Sequence, residues 1–282
     1  MKIKILILGS TGMAGHVIKK YLHDINEFEI YDLARSDYYF KPYFKQEITN
    51  FEKLAEIIHQ YSFDYIINCV GLLSKPSEDN PDLAILLNAY LPHFIEKITK
   101  DTKTKIIHIS TDCVFSGKKG DYKENDLTDG SGFYAQSKAL GEIINDKDLT
   151  IRTSIIGPEL NLEGVGLFNW FIKQNGQIYG YANAYWSGIT TLELAKNITD
   201  IILNKTSVSG LLHLTNNYKI SKHQLLLNIQ YIFNLKNINI IESNEYKVDK
   251  SLLNSRDDIN LNIPSYSNMI LELMDWMNKN KY

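Results

Sequence analysis

Tyr134 and Lys138 stand four residues apart in FYAQSK, inside a stretch with helical spacing (Phe133–Asn145). Four residues is slightly more than one helical turn, so both side chains leave the helix on one face. A phenol ionises near pH 10, too high for rapid proton exchange around neutrality. A neighbouring ammonium favours the phenolate and is expected to bring that value down. Upstream, IIHISTD reads as an apolar strand ending at Ser110, with Thr111 beginning the loop. Ligand-binding groups of a doubly wound sheet sit at the carboxyl ends of its strands, so Thr111 is placed to donate a hydrogen bond to a substrate carbonyl. Thr111, Tyr134 and Lys138 together have the makings of an acid–base site for carbonyl chemistry.

Gly9, Gly12 and Gly15 form GSTGMAG directly after an apolar strand (Ile3–Leu8) and at the start of a helix (Met13–His23). The first glycine permits a tight turn, the second lets backbone approach a pyrophosphate, and the third lets helix pack on strand. Free N–H groups at the helix start then face the anion. Ser10, Thr11 and Met13 belong to the same turn, and Lys138 could reach the ribose hydroxyls of a dinucleotide held there. Cys69, Val70 and Gly71 close the strand YIINCV, where backbone would line the same cofactor.

The second strand ends in YDLARS. If its loop begins at Ala34, Arg35 and Ser36 cradle a 2′-phosphate and the cofactor is NADPH; if Asp32 is terminal, its carboxylate binds a ribose hydroxyl and NADH is preferred. The loop position is the natural reach of a guanidinium, which favours NADPH.

These groups need a scaffold, and the first 155 residues supply its pattern. Strands at Ile3–Leu8, Glu29–Leu33, Tyr65–Val70, Lys105–Ser110 and Thr150–Arg152 alternate with helices at Met13–His23, Phe51–Tyr61 and Phe133–Asn145, and with a long one running from Pro81 to about Lys100. Such alternation predicts an α/β, Rossmann-type doubly wound parallel sheet with right-handed crossovers. Residues 1–158 are read as the NAD(P)-binding domain, and 159–282 as a smaller substrate-binding lobe whose late segments could return to the core. After residue 155 the pattern loosens into a glycine-punctuated, aromatic-rich stretch, suggesting loops around a pocket. Helices are read at Thr191–Leu203, Ser221–Phe233 and Ser267–Asn278.

Composition narrows the function. The 282 residues carry a formal charge of −3, with 44 % hydrophobic and 22 % charged residues, so a core can form and no phosphate-tracking surface for nucleic acid is expected. Cys69 and Cys113 are the sole cysteines, and the seven histidines form no HxxxH pattern, so no metal site is expected. Buried Cys69 reads as a packing residue, and Cys113 lacks a histidine neighbour that would make it a nucleophile. His108, on a strand of isoleucines, reads as a core residue. No apolar run approaches a membrane span and no signal peptide opens the chain, so the expectation is a cytoplasmic protein with no membrane or nucleic-acid partner; a homo-oligomer is compatible with this reading.

Through about residue 158 the chain resembles the dTDP-4-dehydrorhamnose reductase family of extended short-chain dehydrogenase/reductases. The matching pieces are ILILGSTGMAG, DYIINCVG, STDCVFSGKKGDYKENDLT, FYAQSKALGE and IRTSIIGP. The resemblance implies that Thr111, Tyr134 and Lys138 are catalytic and that Asp112 and Phe115 shape the site. It implies NADPH-dependent reduction at C4 of a nucleotide-linked 4-keto-6-deoxy sugar, with Tyr134 protonating the developing alkoxide and Thr111 holding its oxygen. By the same analogy Asn183, Trp186 and Thr190 line the sugar pocket and Arg256 pairs with a substrate phosphate. The chain departs from the family pattern at Cys113, where a tyrosine is usual, at Ala135, where glycine is usual, and at NAYWSGITT, which stands for a DQxGxPT-like segment. Sugar-nucleotide epimerases and 4,6-dehydratases share the fold and the Tyr–Lys pair. The dehydratases carry an acidic pair after the threonine, whereas here Asp112 is followed by Cys113. A non-catalytic regulatory subunit, as in methionine adenosyltransferase, is the alternative from another class; the intact Thr, Tyr and Lys argue against it.

Overall fold

The computed structural model describes residues 2–161 and 163–282. Among them the strands are β1 (Ile3–Leu8), β2 (Phe28–Ala34), β3 (Phe44–Lys45), β4 (Tyr65–Asn68), β5 (Lys105–Ile109), β6 (Leu149–Arg152), β7 (Ile155–Ile156), β8 (Gly176–Trp186), β9 (Ile189–Thr190), β10 (Gly210–His213), β11 (Ile220–Ser221) and β12 (Ile238–Asp249). Seven of them form one parallel sheet in the order β3-β2-β1-β4-β5-β6-β10.

Alternation along β1 explains why that sheet is buried on both sides. Ile5 and Ile7 face one core with Val17, Ile18 and Leu22 of the helix Met13–His23 and with Leu194 and Ile198 of the helix Thr191–Asn204. Leu6 and Leu8 face a second core with Leu54, Ile57 and Ile58 of the helix Phe51–Tyr61 and with Leu91 and Ile95. Each fully buried Ile or Leu contributes about 1.5–3 kcal/mol, and continuous apolar strands are what two covered faces require.

The strand order reverses between β1 and β4, and the crevice beyond their carboxyl ends is where such sheets bind ligands. The late strand β10 pairs with β6, so the chain beyond residue 158 contributes to the central sheet as well as to the outer lobe. That lobe is built on β8, which pairs with β11 antiparallel and with β12 in parallel. None of β8, β10 or β12 is read from the sequence: glycine and tyrosine dilute the apolar alternation of β8, β10 is only four residues long, and polar residues interrupt β12 after Ile241.

The long helix from Pro81 is not uniform. It runs as Pro81–Ala84, a π-helical stretch Ile85–Tyr90, then Leu91–Thr99. Pro92 lacks an N–H and its ring would collide with the carbonyl four residues back; the widened turn just before it relieves both problems. The carbonyl in question belongs to Asn88, which the π stretch leaves facing the helix Gly132–Leu140.

Candidate active site

The glycine turn takes the shape its sequence demands. Gly9 has φ +77°, and the Gly12 N–H donates to the Gly9 carbonyl at 3.0 Å. A Cβ on Gly15 would lie 2.2 Å from the Gly9 oxygen, so helix and turn meet only because that position has no side chain. No side chain caps the helix start at Gly12. Its first-turn N–H groups therefore remain available to an anion. Ser10 is different: its hydroxyl turns inward and donates to Asp32 at 2.7 Å, so only its backbone could serve a cofactor.

Asp32 decides the strand-two question. It lies within β2, and its carboxylate accepts from Ser10, from the Tyr43 N–H at 3.0 Å and from Lys19 at 3.0 Å. With those partners it cannot act as the terminal ribose ligand that would prefer NADH. Arg35 follows the strand end at Ala34, is exposed, and makes no hydrogen bond or ion pair among the described residues. Ser36 beside it is half-buried.

A cleft of about 440 Å³ opens from this turn. Its walls include Thr11, Gly12 and Met13, the β4 exit at Cys69, Val70 and Gly71, and the trio Thr111, Tyr134 and Lys138. Two asparagines fix the β4 exit. Asn68 accepts from the Val70 N–H at 3.1 Å; Asn88, from the π stretch, accepts from the Leu72 N–H at 2.7 Å and donates to the Leu72 carbonyl and to Ser137. The role of Asn88 escapes a reading of the sequence, although an asparagine within ILLNAYL is a polar interruption that could have flagged it.

Asn68 also fixes the state of His108. With Oδ1 occupied by Val70, its amide donates to His108 Nδ1 at 3.1 Å, which leaves the proton on Nε2. His108 is wholly buried, and burial holds its pKa well below the ordinary histidine value. It is a neutral support beneath the catalytic candidates.

Thr111 caps the short turn Asp112–Val114: its hydroxyl accepts from the Cys113 N–H at 3.1 Å and donates to Asp112 at 3.2 Å. The preceding Ser110 points away, donating to Glu142. Glu142 forms a buried bidentate pair with Arg152, both bonds 2.7 Å long, and Arg152 lies over the Phe115 ring. Phe115 is itself wholly buried and stacked on Tyr122, so it supports the site from behind rather than lining it. That corrects its expected place at the substrate.

The helix Gly132–Leu140 brings Tyr134 and Lys138 to the cleft. Its start is fixed by Glu78, which accepts from the Tyr134 N–H at 3.2 Å. The electrostatics differ from the expectation of a phenol activated by its lysine. Burial pushes the Tyr134 pKa upward, the nearby Cys113 and Asp112 add to that rise, and the Thr111 hydroxyl pulls the other way. Lys138 donates to the Ile109 carbonyl at 2.7 Å. Tyr134 is thus a phenol that keeps its proton, an acid suited to reduction.

Burial brings Lys138 down to about 8, while Glu142 and Cys69 favour its charge. The ammonium is present below that value and lost above it, so kcat is expected to decline as pH rises through about 8. The stability contribution has the opposite sign. Between about 8 and the ordinary lysine value of 10.5 the unfolded chain holds a proton that the folded one has released, so stability from this group increases with pH there. A pH–rate profile set beside thermal unfolding over the same range checks both directions.

The two cysteines are inert by the same physics. Burial pushes Cys69 to about 12 and Cys113 to about 11, which leaves neither thiol nucleophilic near neutrality.

A second cavity, about 540 Å³, adjoins the first and shares Asp112, Cys113 and Ser154 with it. Trp186 lines it and donates from its indole N–H to Ser154 at 2.7 Å. Tyr179, Tyr181, Tyr185, Tyr246, Lys222 and Lys250 complete much of its wall, and none of them is among the residues expected from sequence. Tyr246 arrives through a bulge in β12, where the five residues from Ser243 to Lys247 lie opposite the three from Tyr181 to Asn183.

Three further expectations fail in this lobe. Asn183 bonds Asn244 at 2.9 Å and lines neither cavity. Thr190 is buried and caps the helix Thr191–Asn204. Arg256 forks onto Asp258 and donates to the Ser209 and Leu211 carbonyls, so its charge is consumed in tying a loop to β10.

The family model described as RmlD substrate binding domain matches residues 2–252. The dTDP-4-dehydrorhamnose reductase of Salmonella typhimurium is 29 % identical over 229 residues, covering 75 % of this chain and 72 % of that protein. A probable low-salt glycan biosynthesis reductase of Haloferax volcanii, Agl14, is 28 % identical over 157 residues; the match takes in 53 % of this chain and only about half (52 %) of the relative's length. Among solved structures, the dTDP-4-dehydrorhamnose reductase of Bacillus anthracis in complex with NADP superposes with a TM-score of 0.83 at 22 % identity, covering 98 % of this chain and 100 % of that one.

Proposed function

The chain belongs to the RmlD substrate binding domain family, and from that membership and the cleft we propose that it is an NADPH-dependent reductase of the 4-keto group of a nucleotide-linked 6-deoxy sugar. The observation that carries the proposal is the meeting of an uncapped helix start, the Thr111 hydroxyl, the protonated Tyr134 and the Lys138 ammonium around one cleft. The names of the relatives in Salmonella and Bacillus support the reaction class and the cofactor.

The residues fit a dinucleotide. The turn at Gly9, Gly12 and Gly15 would hold its pyrophosphate, Cys69, Val70 and Gly71 its flank, and Lys138 its nicotinamide ribose; Arg35 and Ser36 would take a 2′-phosphate. A reduced nicotinamide, when bound, supplies a hydride to a carbonyl carbon. The chain's own part is to place the substrate carbonyl between Thr111 and Tyr134. Thr111 would exchange its long contact with Asp112 for a hydrogen bond to the carbonyl oxygen. Tyr134 would give its proton to that oxygen as negative charge develops there, where stabilisation counts most. Lys138 would compensate the phenolate left behind.

The test is oxidation of NADPH by the purified protein in the presence of several nucleotide-linked 4-keto-6-deoxy sugars. Stoichiometric oxidation with a cofactor that exchanges freely supports the reductase. A tightly retained cofactor with no net oxidation would favour an epimerase instead.

Arg35→Ala is expected to raise the KM for NADPH about 10- to 100-fold, the loss of one charge-assisted contact. The KM for NADH should hardly change, which steady-state kinetics with both cofactors will read.

A further inference from the structure

We infer that Lys222 and Lys250 form the anion site of the outer cavity and receive the diphosphate of the substrate, with its base against the tyrosines of β8 and β12. This assignment rests on the nucleotide-sugar reading and gives that substrate its direction in the cleft.

Both lysines line the outer cavity. Neither ammonium has a hydrogen bond or ion pair among the described residues, whereas Lys219 close by is held by Asp121 and Asp249. Lys222 is the first residue of the helix Lys222–Ile232, whose start is fixed by a reciprocal Ser221–Gln224 cap. Its ammonium lies 5.2 Å from the centre of the Trp186 ring. Burial disfavours its charge, and the facing Asp112 offsets this in part. A half-desolvated cation that has a ring face beside it but no hydrogen bond or ion pair is costly to keep charged unless an anion arrives to pair with it.

The position matches the chemistry of a sugar nucleotide. Cys113 lines both cavities, Tyr134 lines the inner one, and the two lysines line the outer one, so Cys113 stands on the wall between the lysines and the proposed reacting oxygen. In a hexose linked through C1, a single pyranose ring separates a C4 carbonyl from the first phosphate. With C4 at Thr111 and Tyr134, the ring passes the shared wall of Asp112, Cys113 and Ser154, and the phosphates emerge between the lysines. Tyr181 and Tyr246, with ring centres 5.4 Å apart, then offer apolar faces to a base. Arg256, the phosphate ligand expected by analogy, is unavailable because Asp258 and two carbonyls occupy it.

Calorimetric titration of the NADP-saturated full chain tests the assignment, with thymidine 5′-diphosphate, uridine 5′-diphosphate, thymidine and glucuronic acid as probes. Lys222→Met and Lys250→Met keep the length of the side chain and remove the charge; Lys222→Arg keeps the charge, and thermal unfolding verifies that each variant is folded. Either Met variant should weaken diphosphate binding about tenfold or more and flatten its salt dependence, with thymidine binding unchanged and Lys222→Arg near wild type. Unaltered diphosphate affinity in both Met variants would overturn the assignment while leaving the nucleotide-sugar reading in place. Loss of glucuronic acid binding with diphosphate binding intact would move the anion to the sugar and also overturn it. If the wild type binds no diphosphate, the assignment fails, and NADPH oxidation with keto-sugar nucleotides decides the wider reading separately.

Discussion

Tyr134→Phe is expected to lower kcat by about 10²- to 10⁴-fold, the usual contribution of a positioned proton donor, while NADPH affinity stays near wild type. The substitution removes one oxygen and retains the ring that helps wall the cleft. Thr111 keeps its cap on the turn at Asp112, and Lys138 keeps its bond to the Ile109 carbonyl. What is lost is the hydroxyl acid whose pKa burial drives upward at the proposed reacting position. In a desolvated cleft, water is a poor substitute for it. Because the missing interaction exists only in the transition state, kcat and kcat/KM should fall together. Steady-state kinetics combined with an NADPH binding titration check the result, and turnover within a few-fold of wild type would remove Tyr134 from the reaction.

Gly15→Ala should cost about 1–3 kcal/mol of stability and weaken NADPH binding about 10- to 100-fold. The new Cβ would lie 2.2 Å from the Gly9 oxygen, 2.9 Å from its carbonyl carbon and 3.0 Å from the Ser10 Cα. All three are backbone atoms, so no side chain can swing aside to relieve the overlap. The turn itself cannot retreat, because a Cβ direction at Gly9 already points onto the backbone of Cys69 and Val70, 3.1 Å away. The helix must move outward, carrying with it the N–H groups that would meet the pyrophosphate. Gly12→Ala is the control: its Cβ would stand 3.4 Å from the Gly9 oxygen, an ordinary contact, so that variant should unfold near the wild-type temperature. Thermal unfolding and NADPH titration of the two variants separate packing from ligand contact.

The inner half of the site is legible in the sequence because its chemistry is local. A glycine triplet after a strand, a threonine at a strand end and a Tyr–Lys pair one turn apart each have a meaning within a few residues. The parallel sheet follows from the same logic, since β1, β4 and β5 are short continuous apolar runs alternating with helical patterns, as a sheet covered on both faces requires. The outer half resists such reading. Lys222 and Lys250 are separated by 28 positions and enter one cavity only because β8 pairs with both β11 and β12. Tyr246 depends on a bulge, which has no sequence mark of its own. Arg256 has the right residue type for a phosphate, yet Asp258, two residues later, captures it. The bond from Lys138 to the Ile109 carbonyl is likewise set by how the helix sits on β5 and not by the spacing of the Tyr–Lys pair.

Isotope transfer tests the central claim most directly. NADPH deuterated at C4 of the nicotinamide, on the face delivered by the enzyme, is incubated with protein and a nucleotide-linked 4-keto-6-deoxy sugar, and the product is read by mass spectrometry. The account predicts one deuterium at C4 of the sugar for each NADPH consumed. Product with no label, or with the label on another carbon, would contradict it.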